Sequence, residues 1–171
     1  MTRYNFLAPI TGKVNATDTY CGTSTPHQKC NSPDINPKDL DGGVGGQNIQ
    51  GYGFGGGSIG VRTYANGCCS TCSGDPHNAR YVDFYRFQNG STPIGTVLFG
   101  HVASPKADGV YNSNSIKVGT VPTQGSCGNP PCWTGPHSHF ERVPGGNATT
   151  PGVGCGTTPV QGSTVIYYWD F

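Results

Sequence analysis

Glycine or proline interrupts this chain about once in every four residues, with 28 glycines and 14 prolines among 171 positions. That frequency leaves no window in which a long helix would hold. Inside a helix Gly costs about 1 kcal/mol and Pro about 3 kcal/mol relative to Ala, so helical bundles and coiled coils are excluded. Neither residue follows a collagen period, and nine Tyr, seven Phe and two Trp are more aromatic side chains than a disordered chain carries. The composition predicts an all-β fold: a single domain over residues 1–171, built on a twisted antiparallel sheet with long loops and disulfides.

Charge narrows the partners. The formal net charge is +1, charged residues make up 11% of the chain, and Lys and Arg are scattered, so no electrostatic footprint for nucleic acid or an acidic membrane surface is present. No apolar run approaches the roughly 18 residues of a membrane helix, and no membrane-spanning segment is expected. The opening MTRYNFLAPITG lacks a secretory apolar region, whereas eight cysteines point to an oxidising compartment. An extracellular or cell-envelope location reconciles the two if Met1 begins the mature part of a secreted protein, or an excised part of one.

Strand signals are spread along the chain. Tyr4 to Val14 reads as one or two short strands around Pro9, and Ser58 to Tyr64 as another. YVDFYRF at 81–87, then Asn89-Gly90, then Gly95 to Val102 reads as a hairpin, because Asn and Gly both tolerate positive φ between β-prone runs. Further strands are expected at Ser115 to Val118, through His137 to Arg142, and in STVIYYWDF at 163–171. The Pro, Asn and Asp-rich loop up to Asp41 and the stretch GGVGGQNIQGYGFGGG that follows it show no apolar face, and residues 36–57 read as a surface loop insertion.

Eight cysteines allow 105 pairings. Local spacing suggests Cys21 with Cys30 and Cys127 with Cys132, leaving Cys68, Cys69, Cys72 and Cys155 for two more bridges. A zinc knuckle on Cys69-x-x-Cys72 with His77 or Cys68 is the competing reading, and it lacks a second well-spaced pair.

The sharpest chemical feature is His137-Ser138-His139. Positions i and i+2 of a strand share a face, so two basic nitrogens stand side by side, suited to a metal or to one ligand beside one proton acceptor. The enclosing segment WTGPHSHFER, residues 133–142, resembles the C-terminal signature of the lysostaphin-like zinc endopeptidases, the glycyl-glycyl and β-lytic metallopeptidases of bacterial cell walls. Three other stretches fall in the family's order: FLAPITGKV at 6–14, His27 with Asp34, and LFGHV at 98–102.

The resemblance implies a zinc-dependent endopeptidase acting on peptidoglycan peptides, with Zn2+ held by His27, Asp34 and His139 and with His137 and His101 as catalytic residues. A zinc with three protein ligands keeps its fourth position for water, whose pKa falls toward about 7. His137 is then the proton acceptor, and His101 the donor to the oxyanion that develops on the scissile carbonyl. The spacing from His27 to Asp34 is longer than the family's common one, and residues seven apart on a straight strand would face opposite ways. Asn31-Ser32-Pro33 supplies a bend. Asp18, Asp39 and Asp41 are rival carboxylates, and Cys30 would be a rival ligand as a free thiolate. His77 lies in a turn-forming stretch and reads as a surface residue. Glu141 shares the histidine face and suits an orienting role or a surface ion pair. The alternative to an enzyme is a non-catalytic cell-wall-binding or structural module on the same scaffold.

Overall fold

RYVDFY at residues 80–85 alternates between a core-facing set, Val82 and Phe84, and an opposite set, Tyr81, Asp83 and Tyr85, as the two-residue strand period requires. The computed structural model describes residues 2–14, 35–41, 44–64, 79–123, 136–143, 149–151 and 157–170. Among them every regular element is a strand: β1 (Arg3–Leu7), β2 (Lys13–Val14), β3 (Ile35–Asp41), β4 (Asn48–Tyr52), β5 (Ser58–Thr63), β6 (Arg80–Tyr85), β7 (Gly95–Gly100), β8 (Gly109–Tyr111), β9 (Ser115–Thr120), β10 (His137–Arg142), β11 (Thr149–Pro151) and β12 (Val165–Asp170). All their pairings are antiparallel. The fold is all-β, as the composition requires.

The strands form a seven-stranded sheet in the order β2-β3-β10-β7-β6-β5-β8, a three-stranded sheet β1-β12-β11 and the pair β4-β9. Phe6 from β1 joins the two larger sheets, its ring 5.5 Å from Phe84, 6.0 Å from Phe99 and 5.7 Å from both Tyr167 and Trp169. All five aromatics are at most 1% exposed. Each such ring buries roughly 150–250 Å², so this cluster supplies much of the apolar burial in a chain with few long aliphatic side chains. Gly95 lies flat beneath the indole of Trp169, where a Cβ would meet Nε1 at 2.6 Å.

Residues 36–57 differ from the expected surface insertion. They contain most of β3, which lies inside the large sheet, and all of β4, whose Ile49 is fully buried. Gly51 is buried in β4, where the Cβ position is in ordinary packing contact with Val118 Cγ2 at 3.4 Å and Ile116 Cγ1 at 3.6 Å. The register of β3 against β10 skips between Phe140 and Arg142, which leaves Asn36 and Pro37 out of the ladder. A proline is tolerated within a strand at such a bulge.

The β6–β7 hairpin forms, but through a longer connection than Asn-Gly alone would make. Asn89 has φ of 58° and sits in a turn closed by the Gly90 N–H donating to the Phe87 carbonyl at 3.2 Å. Pro93 and Ile94 follow before β7 begins. All eight cysteines, and with them the expected disulfides and the knuckle, lie outside the described residues. Among the described residues no helix is long and apolar enough to cross a membrane.

Candidate functional site

β10 carries the His-x-His pair between two neighbours, and both ladders fix where that pair lies. Against β7 it pairs His139 with Gly100 and Phe140 with Phe99; against β3 it pairs His137 with Asp41, Ser138 with Leu40 and His139 with Asp39. Phe140 and Ser138 are fully buried, so they take the core side of the sheet. Positions 137 and 139 alternate with this core-facing pair along β10. Residues directly opposed in an antiparallel pair share a face with Cβ atoms about 4.5–5.5 Å apart. In the β3–β10 register Asp39 and Asp41 are the positions directly opposed to 139 and 137.

His101 follows Gly100, the residue paired with His139. Its φ is 54°, in the left-handed region, which is uncommon for a non-glycine residue and costs about 1–2 kcal/mol. The left-handed step takes the chain out of β7 and breaks the alternation that would otherwise put His101 on the same side as Phe99. Val102, fully buried, and a two-way backbone bridge between Ala103 and Thr120, 2.8 Å in each direction, pin the chain immediately afterwards. His101 itself is half-buried. The structure thus brings β10's histidines, β3's aspartates and the residue after β7 to one end of three neighbouring strands.

His27 and Asp34 lie outside the described residues, as do His77 and Trp133. Among the described residues no three His, Cys, Asp or Glu side chains come together as a metal site. Asp39 and Asp41 were legible as an i, i+2 pair that mirrors His-x-His, but only the register of β3 on β10 aligns the two pairs.

Alongside, the same sheet face continues as a polar and aromatic strip. Leu98 pairs with both Glu141 and Tyr81, and Tyr81 pairs with Arg62. The Arg62 guanidinium lies 4.9 Å from the Tyr81 ring centre, and Tyr64 meets Tyr81 edge-on at 5.0 Å. Asp83 accepts from Arg62 and from the Thr96 hydroxyl, and its hydrogen bond raises the Arg62 pKa above its ordinary value against the opposing effect of burial. Aromatic rings on β5 and β6 and a guanidinium held by Asp83 suit contact with an extended peptide.

Comparison with models of known protein families, with curated proteins and with solved structures found no match for this chain.

Proposed function

We propose that the protein is a zinc-dependent endopeptidase that hydrolyses peptide bonds in peptidoglycan, acting outside the cell or in its envelope. The observation that carries this reading is the strand order β3-β10-β7, in which a His-x-His strand lies between an Asp-x-Asp strand and the strand ending at His101. The motif resemblance names the chemistry, and the strand order supports it by setting positions 39, 41, 137, 139 and 101 at one end of adjoining strands.

Two imidazoles and one carboxylate are a donor set that suits a catalytic zinc and leaves a position open. His27 and His139 supply the imidazoles in this reading. For the carboxylate we propose Asp39 in place of Asp34, on the ground that Asp39 is directly opposed to His139 in the β3–β10 ladder. Zinc bound there would supply Lewis acidity and an acidified water. His137, two residues from His139 on the same face, takes up a proton and returns one to the departing amine. His101 donates a hydrogen bond to the carbonyl oxygen as charge builds on it, and its left-handed backbone, fixed by Val102 and Ala103, holds it ready without reorganisation.

The test is cleavage of soluble cross-bridged peptidoglycan fragments by the zinc-loaded protein, together with elemental analysis. One zinc per chain, with activity lost on chelation and in His139→Ala, is expected. Full activity in that variant, or no zinc retained after reconstitution, would overturn the reading and leave a non-catalytic module.

A further inference from the structure

A groove of about 520 Å³ opens at the end of the β6–β7 hairpin opposite His101. β7 has six residues, so at about 3.3 Å per residue the two ends are separated by roughly 17 Å along the strand. Its walls come from three places: Arg3, Tyr4, Asn5 and Leu7 on β1, the turn at 53–55, and Arg86 with Phe87 in the hairpin loop. We propose that this groove binds the C-terminal residue of an extended peptide, one carboxylate joined to an apolar or aromatic side chain. This site is separate from the histidine site and does not depend on the reading given for it.

Charge selects the carboxylate. Of the two guanidiniums in the groove, Arg3 is already committed to Asp170, with Nε donating to Oδ1 at 2.8 Å and Nη2 to Oδ2 at 3.2 Å. Arg86 has no carboxylate partner among the described residues, and its guanidinium carbon lies over the Phe87 ring, 5.0 Å from the ring centre. A cation–π contact does not use up the N–H donors of a guanidinium, whose planar fork matches a carboxylate bidentately. A single cation with no carboxylate set against it among the described residues fits one negative charge, so a dianionic phosphate is disfavoured.

Ring surface selects the apolar group. Phe87 is 62% exposed, a large apolar side chain left in water beside a charged one. Phe54, also in the lining, packs against the core, 4.7 Å from Tyr4 and 6.4 Å from both Phe84 and Trp169. The strand edge selects an extended chain. β1 is the terminal strand of its sheet, and an edge strand lining a groove is a template for strand addition by a peptide. A volume of this size accommodates one or two residues.

N-acetyl-glycyl-L-phenylalanine and its C-terminal amide, titrated separately into isotopically labelled protein, distinguish charge recognition from apolar contact. The expected result is saturable amide shifts centred on Gly53, Gly55, Arg86 and Phe87, with affinity for the amide at least tenfold weaker. Arg86→Gln should weaken the acid at least tenfold and leave the amide unchanged, while Phe87→Ala should weaken both. Equal affinity for acid and amide in the native protein, shifts centred elsewhere, no saturable shift, or tighter binding of phenyl phosphate than of the acid would overturn the proposal.

Discussion

Arg62 and Asp83 form a two-point ion pair between β5 and β6, Nε to Oδ2 at 2.6 Å and Nη2 to Oδ1 at 2.9 Å, and Thr96 on β7 donates its hydroxyl to the same carboxylate at 2.6 Å. Three strands are tied through the Asp83 carboxylate, and the two members of the ion pair differ in exposure: the Arg62 side chain is 56% exposed and that of Asp83 only 4%. Removing Arg62 strands a buried charge, whereas neutralising Asp83 returns a guanidinium to water. Arg62→Gln is therefore expected to cost about 2–3 kcal/mol and Asp83→Asn about 1 kcal/mol, measured by urea denaturation. The reverse order would show that Asp83 does not depend on Arg62 for its stability in the sheet.

Gly95→Ala tests the contact between the two large sheets. The added methyl would enter the Trp169 indole, which is 1% exposed and packed on Phe6 and Phe84 at 5.7 and 5.5 Å. Because the indole is a rigid ring held in the core, the methyl can be accommodated only by displacing it or the strand. A loss of about 3 kcal/mol is expected, the upper part of the range for overpacked cores, together with a change in tryptophan fluorescence. An unchanged denaturation midpoint would mean that the two sheets separate easily at this point.

Asp108 gives a signed pH prediction. Its carboxyl is held below the ordinary value of 3.8 first by the Thr63 backbone N–H at 3.0 Å and then by the Thr63 hydroxyl at 2.9 Å, with Arg80 adding to the effect. A carboxyl whose pKa is lower in the folded than in the unfolded chain adds stability that is fully present above the unfolded value and is lost as pH falls through the folded one. Thr63→Val removes the hydroxyl and keeps the N–H. In a carbon NMR titration the Asp108 midpoint should therefore rise part of the way toward 3.8, and an unmoved midpoint would assign the whole effect to the backbone.

The strands that sequence pattern reveals are those whose alternation is carried by aromatic and β-branched residues, such as RYVDFY and VIYYWD. β3 and β4 are hidden for a different reason. Pro37 argues locally against a strand, and only the bulge against β10 makes room for it; Gly51 looks like loop composition until Val118 and Ile116 are seen against it. The same division runs through the candidate site. His-x-His is visible as a local period of two, and so is Asp-x-Asp at 39 and 41, but their alignment depends on register between segments almost a hundred residues apart. The left-handed turn at His101 has no local signal, since nothing in LFGHV marks a residue that must leave its strand at positive φ.

That alignment leads to the prediction that most directly tests the site. Asp39 is opposed to His139 across the β3–β10 ladder, and Asp41 to His137. If cross-strand position decides which carboxylate reaches a metal shared with His139, Asp39→Asn should lower zinc affinity at least as far as the 10–100-fold that loss of an outer-shell partner alone produces. Asp34→Asn should leave it within about threefold of the native value, on the same assumption that position in the ladder decides. His137→Ala should retain zinc and lower kcat by about 10²–10⁴-fold, the range for a lost proton acceptor. Chelator competition for zinc and peptide cleavage, measured on all three variants, separate binding from proton transfer. If Asp34→Asn loses the metal while Asp39→Asn keeps it, the chain bends between the two residues enough to outweigh the register, and the ligand set reverts to His27, Asp34 and His139.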